Sequence, residues 1–89
     1  MLPKNRPPNH PGEILLEEFL KPREMTQSEL SERLDIPLQR VNSIVNGKRS
    51  VTPETAILLA RFFETTAEFW MNLQTQYDLW HAERALSKA

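Results

Sequence analysis

The sequence predicts a small all-α protein of five helices. Two observations carry that expectation. Helix start and stop signals recur along the chain: Pro11-Gly12, Thr26 with Glu29, Thr52-Pro53-Glu54 and Thr66 stand where helices can begin, and Pro22 and Gly47 where they end. Between these marks apolar residues recur at spacings of three and four, so each segment has one face to bury.

Residues 1–11 hold Pro3, Pro7, Pro8 and Pro11 with Lys4 and Arg6. Proline removes amide donors and blocks helix, so an extended arm is expected. His10 reads as a loop or capping residue at the entrance to the first helix, and with His81 far along the chain no metal site is assigned. The first helix is expected over about Gly12 to Leu20, with Ile14, Leu15, Leu16, Phe19 and Leu20 as a wide apolar face. Glu13 in its first turn and Lys21 at its end both suit the macrodipole. Glu17 and Glu18 are adjacent, point in different directions, and make no convergent acid–base pair.

The second helix opens on Thr26-x-x-Glu29, a capping box in which the hydroxyl and the carboxylate each satisfy an orphan amide. It runs to about Leu34 and buries Leu30 and Leu34, with the small Ser31 between them. Asp35 falls at the turn, where the left-handed conformation suits glycine but tolerates aspartate. Ile36 plugs the corner. Pro37 is expected as the first residue of a third helix, which turns Val41, Ile44 and Val45 inward. Leu38, Gln39, Arg40, Asn42 and Ser43 are left facing mostly outward.

That outward set is unlike an ordinary solvated face. It carries amides, a guanidinium and a hydroxyl, and no acid occurs between Ile36 and Pro53. Amides and guanidinium are the groups that bond base edges in a DNA major groove. A small residue, a turn, a corner hydrophobe and a polar second helix together match a helix-turn-helix. In the loop that follows, Gly47 suits a left-handed helix end, and Lys48 and Arg49 read as a phosphate clamp or as an ordinary basic turn.

The fourth helix is capped by Thr52 with Pro53 and Glu54 in its first turn. Ala56, Leu59, Ala60 and Phe63 face the core, Ile57 and Phe62 widen that face, and the helix ends near Glu64. The fifth begins after Thr66 and extends to about Leu86. Phe69, Leu73 and Trp80 form one stripe on it, Trp70 and Tyr77 another. These rings either close the core or form the interface of a symmetric dimer, where Trp and Tyr are favoured.

Composition limits the function classes. Eighty-nine residues make one small domain. The absence of cysteine excludes disulfides and cysteine–zinc sites. No apolar run approaches a membrane span and no signal-peptide region is seen, so a cytoplasmic protein is expected. The net charge of −1 argues against indiscriminate coating of nucleic acid; the local sign around Arg40, Lys48 and Arg49 matters instead. No Gly-rich phosphate loop and no nucleophile with a nearby base can be named. Neither an enzyme nor a cofactor is expected.

The segments NHPGEILLEEFL (Asn9 to Leu20), TQSELSERL (Thr26 to Leu34), NGKRSVTPETA (Asn46 to Ala56) and EFWMNLQTQYDL (Glu68 to Leu79) resemble HigA-type, or VapI-like, antitoxins of the phage-repressor class. The resemblance covers roughly Asn9 to Leu79, and its first and last segments are the more specific. It implies a five-helix, lambda-repressor-like domain that dimerises about a two-fold axis through the C-terminal helix. It also implies binding to double-stranded operator DNA, repression of the chain's own toxin–antitoxin operon, and neutralisation by binding of a small basic messenger-RNA-cleaving toxin similar to HigB and RelE.

On that footing Leu38, Gln39, Arg40 and Ser43 are expected to read bases, Leu38 against a thymine methyl. Gln27, Asn42, Asn46, Lys48 and Arg49 are expected to meet phosphates. Phe69, Trp70, Leu73, Tyr77 and Trp80 are expected at the dimer interface, and Glu13, Glu17, Glu18 and Glu24 against the toxin. The chain then divides into an arm (1–11), a DNA-binding domain with its dimerisation helix (12–86) and a short tail (87–89). Two departures stand out: Asp35 replaces the usual glycine, and Pro37-Leu38 replaces a more polar helix opening. The alternatives are a solitary phage-type regulator without a toxin, and a partner-binding module with weak DNA binding.

Overall fold

The computed structural model describes residues 7–87; Pro3, Lys4 and Arg6 of the expected arm and the last two residues of the expected tail lie outside them. The described residues form five helices and no strand.

The first helix, α1, starts with one α-helical turn over Pro11–Ile14 and continues π-wound over Leu15–Leu20. His10 caps it, its Nδ1 accepting the Gly12 amide at 2.9 Å. Pro11, expected as the last residue of the arm, is instead the first of the helix and is buried. The π winding has a packing cause. Leu15 and Leu20 are both buried and stand five apart, which on an α-helix would point them about 140° from each other. Bonds from residue i+5 back to residue i, such as the Lys21 amide to the Leu16 carbonyl at 3.0 Å, widen the turn and bring both leucines onto the core face.

Helix α2 spans Gln27–Leu34 and α3 spans Leu38–Val45. The Thr26–Glu29 capping box forms as expected: the Thr26 hydroxyl accepts the Glu29 amide at 3.1 Å and the Glu29 carboxylate accepts the Thr26 amide at 2.9 Å. Asp35 adopts the left-handed conformation at φ 56°. The Ile36 amide then reaches the Ser31 carbonyl and the Asp35 amide the Glu32 carbonyl, so the last turn of α2 is closed without glycine. Pro37 departs from expectation. It is the extended N-cap of α3, at ψ 142°, and Leu38 takes the first helical position.

Helices α4 (Pro53–Phe63) and α5 (Ala67–Ser87) complete the domain. Ser87, expected in the tail, is still helical. The core is built from Leu15, Leu20, Leu30, Val41, Ile44, Val51, Ala56, Leu59 and Trp70, each 2 % exposed or less. Ala60 is only half-buried and Ile57 is exposed, whereas Thr55 is buried: the inner face of α4 runs through Thr55, Ala56, Leu59 and Phe63. Trp70 corrects a larger expectation. It is wholly buried among Phe19, Phe63 and Phe69 at ring-centroid distances of 5.0, 6.5 and 5.1 Å, and its indole N–H donates to the Thr65 hydroxyl at 2.9 Å. It belongs to the core of the chain, with no exposed surface of its own.

Candidate nucleic-acid interface

Three local devices present α3 to the outside. The turn Asp35-Ile36-Pro37 holds α3 against α2. The end of α3 is closed by Gly47 at φ 73°, with the Lys48 amide reaching the Ser43 carbonyl at 2.8 Å and the Gly47 amide the Ile44 carbonyl at 3.0 Å. Because Ser43 also accepts the Arg49 amide at 3.2 Å, the basic loop is tied directly to the helix. Third, α1 crosses α3 at backbone contact. A Cβ on Gly12 would stand 1.7 Å from the Ile44 carbonyl oxygen, an approach open only to glycine.

With Val41, Ile44 and Val45 buried, the outer face of α3 is a ridge with a groove on each side. One groove, of about 420 Å³, is lined by Pro37, Gln39, Arg40, Asn42, Ser43 and Arg49. The other, of about 490 Å³, is lined by Thr26, Gln27, Ser28, Leu38, Gln39 and Asn42. Gln39 and Asn42 belong to both and so mark the crest. Leu38 is 46 % exposed, Gln39 is exposed, and Arg40 and Ser43 are half-buried. Among the described residues, no side-chain hydrogen bond engages Gln39, Arg40, Ser43, Lys48 or Arg49. Gln27 and Asn42 behave differently: the Asn42 amide donates to Gln27 Oε1 at 3.2 Å and accepts from Asn46 Nδ2 at 3.1 Å.

The remaining site residues are scattered. Glu13, Glu17, Glu18 and Glu24 are all exposed, but Glu17 pairs with Lys21 at 2.8 Å and Glu24 sits left-handed in the turn after α1, at φ 52°. Phe69 is exposed, while Leu73, Tyr77 and Trp80 are half-buried. Tyr77 packs on His10 at 4.9 Å and on His81 at 4.3 Å. The two histidines are therefore joined through a ring, and no group of three or more potential metal ligands occurs among the described residues. Nor is any described helix long and apolar enough to cross a membrane.

Three features escaped the sequence reading. Gln74 is buried on α5, and its Oε1 accepts the Val51 amide at 2.8 Å, pinning the basic loop to α5. A lone amide within an apolar helix face was the only available signal. Gly12 marks a helix start in the sequence, and its place just after the helix-opening proline is the one sign there of the close packing against Ile44. Leu79 and Leu86, 59 % and 75 % exposed, are bare hydrophobic residues of α5 in addition to Phe69.

Comparison with known proteins agrees with this architecture. The sequence model of the helix-turn-helix family matches residues 16–70. Virulence-associated protein I of Dichelobacter nodosus is 45 % identical over 78 residues, covering 88 % of this chain and 72 % of that protein. An addiction-module antidote protein of the HigA family from Coxiella burnetii superposes with a TM-score of 0.87 at 48 % identity, covering 93 % of this chain and 90 % of that one. Antitoxin HigA of Pseudomonas aeruginosa, solved with the higBA promoter, superposes with a TM-score of 0.88 at 43 % identity, covering 91 % and 88 %. Regulators of this kind act by binding and are not enzymes. A capped helix pair with a polar outer ridge, a family match over its centre and relatives of this closeness agree on one assignment: the chain belongs to the helix-turn-helix family, in its HigA/VapI branch.

Proposed function

We propose that this chain is an operator-binding antitoxin that represses its own operon, with α3 as the recognition helix. The observation that carries the reading is the ridge of α3. Gln39 and Arg40 stand on it with no side-chain hydrogen bond among the described residues, grooves run on both sides, and Lys48 and Arg49 follow on a loop tied to the Ser43 carbonyl. This composition suits base edges flanked by phosphates, and a relative of the same fold is solved with its promoter. Leu38, Gln39, Arg40 and Ser43 are assigned to bases, Lys48 and Arg49 to the backbone. Such a task places the protein in the cytoplasm.

A two-fold dimer through α5 would set two recognition helices about 34 Å apart, one turn of DNA. Phe69, Leu73, Tyr77 and Trp80 stay in that interface, Trp70 leaves it, and Leu79 and Leu86 join it. The partner is a small basic toxin of the HigB/RelE kind, met by Glu13, Glu18 and Glu24, with Glu17 available once it parts from Lys21.

The test is fluorescence anisotropy with DNA from upstream of the gene against scrambled DNA. The double substitution Gln39→Ala, Arg40→Ala should erase the preference, each good base contact being worth about 1–3 kcal/mol. A preference that survives both changes overturns the assignment of α3. Operator binding without any co-purifying toxin overturns the antitoxin half and leaves a regulator.

A further inference from the structure

Three amide side chains form one directed chain across the outer face of the helix pair. Asn46 Nδ2 donates to Asn42 Oδ1 at 3.1 Å, and Asn42 Nδ2 donates to Gln27 Oε1 at 3.2 Å. The last bond joins residues fifteen apart in sequence and is the polar side-chain link between the start of α2 and the outer face of α3.

An amide has a donating end and an accepting end, whereas a phosphate oxygen only accepts. The chain therefore has a polarity. Asn46 uses an N–H and leaves its oxygen outward. Asn42 is engaged at both ends. Gln27 has its oxygen held by Asn42, so its Nε2 group is the free end, with two N–H donors. We propose that Asn42 is a positioning residue, backed by Asn46, that holds Gln27 with its Nε2 toward a DNA backbone phosphate. Of the three neutral amides expected to meet phosphates, only Gln27 does so, and the other two set its direction. This rests on the DNA-binding reading above.

The physical gain is pre-organisation. An unrestrained glutamine turns its oxygen or its nitrogen outward with similar ease before docking, and loses that freedom when its nitrogen meets the phosphate. A glutamine already held by its oxygen avoids both costs. Removing the restraint should weaken binding by about two- to ten-fold per half-site, the range of one immobilised side chain. The alternative polarity, with every amide reversed, would expose the Asn46 N–H and turn the Gln27 oxygen outward. The two arrangements thus make opposite statements about which end touches DNA.

The experiment uses the full chain and the upstream duplex, with single phosphates replaced one at a time by uncharged methylphosphonate. One position per half-site that is sensitive to replacement with the wild type should become insensitive with Gln27→Ala, which identifies the phosphate bound by Gln27. Asn42→Ala should lose most of the sensitivity at that same position and keep it at positions that depend on Lys48. Asn46→Ala should give a smaller loss there and none elsewhere.

The proposal is overturned if Asn42→Ala leaves the Gln27 position fully sensitive. It is equally overturned if Asn42→Ala flattens all positions alike, as a merely structural role would, or if Asn46→Ala erases a position of its own. Should Asn42→Ala fail to fold, Asn42→Ser is read in the same way. A wild type without preference for the upstream duplex refutes the DNA reading itself, and the positioning role with it.

Discussion

Replacing Gly12 by alanine is the sharpest test of the packing that presents α3. The added Cβ would stand 1.7 Å from the Ile44 carbonyl oxygen and 2.6 Å from its carbon. Ordinary contact starts at 3.4 Å, so α1 and α3 must part by about 1.7 Å. Both obstacles are backbone atoms and cannot swing aside like the end of a side chain. A radial gap of 0.5–1 Å already forfeits about a quarter to a half of a dispersion contact, and the contacts at stake are those of Leu15, Val41, Ile44 and Val45, all buried. A cost of about 3–4 kcal/mol follows, at or beyond the upper end of overpacking. The better helix propensity of alanine returns only about 1 kcal/mol of it. The net loss of about 2–3 kcal/mol corresponds to a fall in Tm of roughly 10–20 °C for a domain of this size.

Urea unfolding followed by tryptophan fluorescence, with Trp70 as the buried reporter, measures this directly. Gly47→Ala is the comparison. Gly47 is left-handed at φ 73°, but the nearest atom its Cβ would meet is in the His10 side chain at 3.7 Å, an ordinary contact, so its cost is the backbone term, about 1–2 kcal/mol. If Gly12→Ala unfolds within 1 kcal/mol of the wild type, or proves milder than Gly47→Ala, the claim that α1 holds α3 by backbone contact is wrong.

Two further outcomes follow from buried polar groups. Burial lowers the pKa of His10 below its ordinary value, with Asp78 opposing the shift. The unfolded chain then binds the proton more readily, so the stability contributed by neutral His10 is complete above about pH 6.5 and is lost as the pH falls through the folded value. Glu13, Tyr77 and His81 line the same cleft; His10→Asn, which offers a capping oxygen in place of Nδ1 and does not titrate, should flatten the decline in stability between pH 7 and 5, and an unchanged slope would assign it to another group. Gln74→Leu should cost about 1–3 kcal/mol by leaving the buried Val51 amide without an acceptor; hydrogen exchange at Val51 should accelerate, and an unchanged rate would show that the amide has found another partner.

Much of the fold was legible because it is decided locally. The Thr26–Glu29 capping box, the Thr52-Pro53 opening of α4, the left-handed Asp35 and the glycine end of α3 each involve groups within a few residues of one another, so sequence spacing suffices. The candidate interface was legible for a similar reason. A helix that turns Val41, Ile44 and Val45 inward must turn Gln39 and Asn42 outward, and its acid-free composition shows in the sequence.

Tertiary structure decided what depends on partners distant in the chain. Trp70 and Tyr77, a heptad apart, looked alike in sequence. Trp70 is buried because Phe19 from α1 and Phe63 from α4 meet it, and Tyr77 is half-covered because His10 at the chain's other end packs on it. Nothing periodic in α5 encodes those neighbours. Gly12 matters only because α1 crosses α3 where it does. Gln74 is an acceptor only because the loop at Val51 arrives with a free amide. Spacing along the chain does not show that Asn42 stands between Gln27 and Asn46 and bonds to both. Local backbone chemistry is written in the sequence by spacing. The choice between a side chain that meets a partner molecule and one that orients its neighbour is made by distance in space, which only the packed chain supplies.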